Sequence, residues 1–205
     1  MLDIITKNPL LGLIYLLVLV FCITIHEFAH AITADKLGDP TPRLQGRITL
    51  NPLAHLDPLG SILMVLTGFG WGRAVMFDPY NLENPRRDGM KIAFAGPAIN
   101  IIVALVSSLI LKLTPLGDMA IVSSVIAMII QVNLSLALFN LIPIEPLDGF
   151  KIVNGLLSKE QSWKWETLRP YGFYFLIALS VPLFGPAPIG LILTPVLRFF
   201  LKILL

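Results

Sequence analysis

Apolar residues run along this chain in long blocks separated by short polar stretches. From Pro9 to Ile25 no residue is charged, and the run resumes through Phe28, Ala29, Ala31 and Ile32. That pattern predicts a first membrane helix over about Leu10 to Ala34, long enough to cross a hydrocarbon core of ~30 Å with some tilt. Gly38, Asp39, Pro40 and Pro42 supply the turn chemistry that ends it. A second helix is predicted from about Met90 to Leu113, and a third over the uncharged stretch Met119 to Ile144. Pro170 to Leu197 is uncharged again but interrupted by Pro182, Gly185, Pro186 and Pro188. It divides into a fourth and a fifth helix around residue 185.

The stretches between are of two kinds. Gly60 to Trp71 is apolar but too short to span, and its glycines suit a re-entrant or interfacial segment. Arg43 to Leu50 and Arg73 to Phe77 are β-prone, closed by Asn51-Pro52 and Asp78-Pro79. They predict edge strands or a hairpin at the membrane surface. The expected fold is therefore an all-α polytopic membrane protein. It has about five transmembrane helices, a re-entrant or interfacial segment and a short β-hairpin.

Composition agrees. Of 205 residues, 56% are hydrophobic and 14% charged, against about 45–50% and about 25% for a soluble domain. Mean hydropathy is +0.81. No soluble module of ordinary size fits between the apolar blocks, so residues 1–205 read as one membrane domain. The first apolar run is too long for a cleavable signal peptide. The single cysteine, Cys22, excludes an intrachain disulfide and reads as a small buried apolar residue rather than a ligand.

Candidate chemistry begins inside the first helix, with His26-Glu27-Phe28-Ala29-His30. Two imidazoles four residues apart lie on one helical face and can reach one metal ion. Zn²⁺ is the ion best matched to neutral nitrogen donors. Glu27 is placed to take a proton from a water at that ion. Ionisable groups in an apolar helix are costly, and three within five residues need a shared partner. A catalytic zinc needs a third protein ligand. Asp148 is the best-placed candidate, because Pro143, Pro146 and Gly149 unwind the end of the third helix around it. Asn100 is a polar group in an apolar helix, either interhelical glue or a contact near the metal.

Together these residues resemble a family. His26-Glu27-x-x-His30, Gly96-Pro97-x-x-Asn100 and Asn140-x-x-Pro143-x-x-x-Leu147-Asp148-Gly149 occur in the order found in the site-2 proteases. These are intramembrane zinc metalloproteases that cleave transmembrane or membrane-proximal segments of other proteins. The resemblance covers about residues 9–157, leaving C-terminal helices over about 168–205. It is nearest to short prokaryotic members without appended PDZ or CBS domains, whose pattern also includes Arg47 to Gly60 and Asn84 to Asp88. It implies one Zn²⁺ per chain on His26, His30 and Asp148, with Glu27 as acid/base. It implies that Asn140 stabilises the substrate carbonyl or oxyanion. Glu145 departs from the family pattern, as do Ala74 and Met76, where proline is expected.

The expected reaction is hydrolysis of peptide bonds in transmembrane protein substrates within a lipid bilayer; nucleic acid is not an expected partner. Arg47, Ile48, Thr49, Leu50, Val75, Met76 and Phe77 are candidate substrate-binding residues, because an edge strand could pair with an extended substrate. His55 and Asp57 read as surface-loop or gating residues rather than ligands. A metal-ion transporter would need ligands spread over several helices, and a non-catalytic scaffold with structural zinc would have no use for Glu27. With the N-terminus outside, five crossings leave only Lys7 and Lys112 of the fifteen Lys and Arg outside. That bias places the site toward the cytoplasmic face.

Overall fold

The computed structural model describes residues 6–67, 71–181 and 187–205. The first helix, α1, is Pro9–Lys36. Asn8 caps it by accepting the Leu11 N–H at 3.1 Å, and Pro9 takes the first turn, where its missing N–H has no partner to lose. After a short α2 (Thr41–Leu44), α3 covers Pro58–Thr67. α4 is the long central helix, Pro85–Leu113, and α5 is Ala120–Asn140. Short helices α6 (Asp148–Leu156), α7 (Lys159–Glu166) and α8 (Gly172–Ser180) follow, then α9 (Pro188–Leu204).

α4 packs against α1, α5 and α6. It runs antiparallel to α1, because His30 meets Ile92 while His26 meets Asn100 further along. The usual burial pattern is inverted on α1. Leu10, Leu13, Leu17 and Phe21 are exposed along one stripe, whereas Cys22, His26 and His30 face inward. An apolar outer face over a polar inner one suits a helix whose solvent is lipid.

Two expectations are corrected. Among the described residues there is no β-strand, so the expected hairpin is absent. Arg43 and Leu44 belong to α2, and 73–77 forms neither strand nor helix. The only ladder-like contact there is an isolated antiparallel bridge between Leu56 and Gly72. The physical reason is Arg47. Its buried guanidinium donates to the carbonyls of Ala54, Arg73 and Ala74, so a side chain occupies acceptors that a partner strand would have used.

Five crossings are also not observed among the described residues. Three helices there are long and apolar enough to cross a membrane: α1, α4 and α5. α8 has nine residues and α9 seventeen, about 14 and 26 Å at 1.5 Å per residue, short of a ~30 Å core. α3, with ten residues, is shorter than a crossing, as expected of Gly60 to Trp71; residues 68–70 of that stretch lie outside the described residues. The break placed at residue 185 lies outside them too.

The far end of α9 is anchored unexpectedly. Lys112 Nζ donates to the Ile203 carbonyl at 2.6 Å, and Ser108 Oγ donates to that of Leu204. The C-terminal end therefore lies beside the end of α4 opposite its Pro85 start.

Candidate metal centre

Three helices converge on one point. α1 supplies His26 and His30, α6 opens with Asp148, and α4 forms the wall between them. The His26 and His30 Nε2 atoms are 3.0 Å apart, and Asp148 Oδ2 lies 3.2 and 3.3 Å from them. Among the described residues, these three side chains form the group whose ligand atoms could hold a metal ion. Both histidines are buried, at 5% and 6% exposure.

The other ring nitrogens are tied down. His30 Nδ1 sits 2.7 Å from the Ile92 carbonyl, which can only accept, so Nδ1 carries the proton and Nε2 keeps its lone pair. His26 Nδ1 lies 2.6 Å from Asn100 Oδ1. The Asn100 amide nitrogen donates to Asn133 Oδ1 at 2.7 Å and to the Cys22 carbonyl at 3.3 Å, which leaves its oxygen for His26. His26 takes the same tautomer. Two lone pairs thus point at a buried carboxylate oxygen that has no hydrogen-bond donor.

That donor set fits zinc: two neutral imidazoles and one carboxylate. Room for an ion is kept by Gly96. A Cβ there would lie 2.4 Å from His30 Nε2 and 2.6 Å from His26 Nε2. The turn before α6 is equally tight, since a Cβ on Gly149 would meet the Leu141 and Ile142 carbonyls at 2.3 and 2.4 Å.

Glu27 stands beside the group, against residues 72–75. Its Oε2 accepts the Val75 N–H at 3.2 Å, and a Cβ on Gly72 would come within 3.6 Å of its Oε1. The segment is held by Arg47 and by the Arg73 N–H donating to the His55 carbonyl at 2.7 Å.

Other candidate residues fall variously. Asn100 is both glue and a contact to a candidate ligand, fully buried. Cys22 is buried and accepts from Asn133, away from the candidate ligands. Asn140 donates to the Leu136 carbonyl of its own helix at 3.0 Å. Glu145 is not in the group of three; its Oε2 is buried without a partner. His55 is not a surface residue: it is fully buried, with Nε2 on the Thr49 carbonyl at 2.7 Å. Asp57 caps α3 by accepting the Gly60 N–H at 2.8 Å. Ile48 and Thr49 are half-buried, while Leu50 and Met76 are exposed. Sequence reasoning missed Asn133, whose amide joins α5 to Asn100 and Cys22. Its only signal is being a polar residue in an uncharged helix.

A buried histidine pair with a carboxylate, inside a bundle of apolar helices, defines a membrane metalloenzyme. Residues 115–181, which include Asn140 and Asp148, match the model of Peptidase family M50. The chain is 39% identical to "Putative zinc metalloprotease YwhC" of Bacillus subtilis, over 85% of this chain and 84% of that protein. It is 28% identical to "Putative zinc metalloprotease Rip2" of Mycolicibacterium smegmatis, over 77% of this chain and 62% of that one. "Zinc metalloprotease MJ0392" of Methanocaldococcus jannaschii is 24% identical over 95% of this chain, which spans 49% of that protein. No solved structure matches. The chain belongs to peptidase family M50, the family of the site-2 proteases, and is a multi-pass membrane zinc metalloprotease.

Proposed function

We propose that this protease hydrolyses peptide bonds within or beside transmembrane segments of other membrane proteins, with His26, His30 and Asp148 as zinc ligands and Glu27 as acid/base. The observation that carries the reading is the convergence of two imidazole lone pairs on the unpartnered Asp148 Oδ2, with Glu27 alongside. Bound there, zinc would supply Lewis acidity, polarising a carbonyl and making water a better acid.

The chain's own residues do the rest. The Ile92 carbonyl and Asn100 hold both imidazoles with Nε2 inward, which fixes donor direction before any metal arrives. Glu27 takes a proton from the attacking water and returns it to the leaving amine. The Val75 N–H on Glu27 Oε2 holds the carboxylate in place while leaving Oε1 free to receive that proton. Asn140 spends one amide hydrogen on the Leu136 carbonyl and keeps the second to donate to an oxyanion. The 73–77 segment lines the approach to Glu27, with Met76 exposed, and is the backbone a substrate in extended form would meet. The Arg47 guanidinium and the His55 carbonyl hold that segment.

The site belongs toward the cytoplasmic face. The ends of α1 and α5 and the start of α4 lie together with Lys36, Arg43, Arg47, Arg73, Arg86, Arg87, Lys91, Lys151, Lys159, Lys164 and Arg169. Lys7 and Lys112 belong to the opposite end, and so do Lys202, next to the anchored Ile203, and Arg198, one turn before it. The positive-inside bias survives the move of the C-terminal end.

Incubating the purified chain with a panel of single-span membrane substrates, with and without a chelator, tests the reading. Chelator-sensitive cleavage is expected. Cleavage of soluble casein in preference to every membrane substrate would defeat it.

A further inference from the structure

Next to the candidate catalytic group, on the side where the cations gather, lies a cavity of about 420 Å³, of whose lining the reading above uses only the 75–77 segment. One wall is the 73–77 segment, through Val75 and Phe77. The others are the start of α4 at Arg86, then α6 at Lys151, and Glu166 with Arg169 beyond α7.

The charges in it are unbalanced. Glu166 is satisfied, accepting from Arg169 Nε at 2.7 Å and from the Asn154 amide at 2.7 Å, so Arg169 and Glu166 cancel. Lys151 makes no ion pair among the described residues; its Nζ lies 5.4 Å over the Phe77 ring. Arg86 gives one nitrogen to the Leu157 carbonyl and also makes no ion pair among the described residues. Two unneutralised cations on adjoining walls of a small cavity create a site for an anionic group.

Position decides which anion. Val75 lines the cavity and also donates its N–H to Glu27 Oε2. A chain lying along 75–77 therefore has the catalytic carboxylate at one end and Lys151 and Arg86 at the other. A lipid headgroup has no reason to sit beside the catalytic base; the flank of a membrane-protein substrate must pass near it.

We propose that this cavity is a specificity subsite, in which Lys151 and Arg86 bind an acidic side chain on the cytoplasmic flank of the substrate's transmembrane segment. The proposal rests on the protease reading above, and binding rather than cleavage tests it. The probe is a fluorescent synthetic single-span peptide with two aspartates after its apolar stretch, beside a twin carrying two asparagines. Binding is measured to the full-length Glu27→Gln chain in neutral phosphatidylcholine nanodiscs.

The aspartate probe should bind about tenfold tighter, the size of one charge-assisted contact. Lys151→Gln and Arg86→Gln should each bring the ratio toward one, and Lys151→Glu should favour a lysine-flanked probe instead. Zinc content and thermal melting matching the parent establish that each variant is folded. Should Arg86→Gln fail there through loss of Leu157, the Lys151 pair of variants decides alone.

Equal binding of the two probes overturns the subsite, as does a ratio that survives the Lys151 substitutions. A Lys151 effect that follows added phosphatidylglycerol and ignores flank charge assigns the cavity to lipid headgroups and also overturns it. Failure of the protease reading looks different: the unsubstituted zinc-loaded chain would cleave neither probe, while the binding ratio would stand.

Discussion

His26 Nδ1 and Asn100 Oδ1 are 2.6 Å apart, and this one contact joins a candidate zinc ligand on α1 to the middle of α4. Asn100 is in turn held by Asn133 on α5 and by the Cys22 carbonyl. The ring orientation of His26 is thus set by three helices at once. Asn100→Leu should leave the candidate ligands in place yet weaken zinc binding by about 10–100-fold, the usual cost of losing such an outer partner. Competition with a chelator of known affinity measures this without relying on activity. Unchanged affinity would show that His26 needs no such support.

Glu27→Gln should keep its fold and zinc, because an amide oxygen still accepts the Val75 N–H. Cleavage should fall by about 10²–10⁴-fold, since the amide cannot take a proton from water. Zinc analysis and peptide cleavage on the same preparation check both halves. Full activity would move the base elsewhere, and Glu145, with its partnerless Oε2, would be examined next.

Gly96→Ala tests the site through space rather than through a ligand. Its methyl would lie 2.4 Å from His30 Nε2, a contact that forces the imidazoles or the helix to shift. Zinc occupancy should drop more than tenfold on the energetic scale of a core overpacking substitution. Alanine at Gly190, where a Cβ meets nothing within 4 Å, is the matched control and should bind zinc normally.

Much of this site was legible because its chemistry is local. His26, Glu27 and His30 share one turn of helix, and Asp148 announces itself through the prolines and glycine around it. Asn133 was not legible, because nothing near it in sequence names Cys22 or Asn100 as partners. The strands were misread for a related reason. Arg47-Ile48-Thr49-Leu50 alternates as a strand would, but alternation does not reveal that the Arg47 guanidinium takes the Arg73 and Ala74 carbonyls of the other candidate strand. The fourth and fifth crossings failed on length: among the described residues, the region divided by prolines carries a nine-residue helix and a seventeen-residue helix that also includes Arg198 and Lys202.

Asp39 gives the fold a dependence on pH outside the membrane. Burial alone would raise its carboxyl, but hydrogen bonds from Thr41, Asn81 and the Asp78 N–H outweigh that and hold it below the ordinary carboxylate range. A depressed carboxyl contributes stability that is complete above its unfolded value of about 4 and lost as pH falls through the folded one. The melting temperature in detergent should therefore hold from neutral pH to about 4 and decline below it. Asp39→Asn should melt lower at pH 7 and flatten the acid limb. An identical acid limb in that variant would assign the transition to other carboxyls.

The last prediction concerns which way the protein sits. The C-terminal end is tied to Ser108 and Lys112, at the end of α4 away from Arg86. With the site on the cytoplasmic side, α8 and α9, each too short alone, must together carry the chain across a fourth time and put residue 205 on the outer side with Asp118, whereas five crossings would have left it inside. Cysteine labelling in a Cys22→Ser background separates the cases. Exposed positions on the two ends are Asn84 and Trp163 on one, Asp118 and Leu205 on the other. Cysteines at Asn84 and Trp163 should react only with a reagent that crosses into the cytoplasm. Those at Asp118 and Leu205 should react with an impermeant reagent added outside. Labelling of Leu205 with the Asn84 group would break the α9 anchor. Reversal of all four would invert the molecule and send cleavage products outward, against the positive-inside bias of its cations.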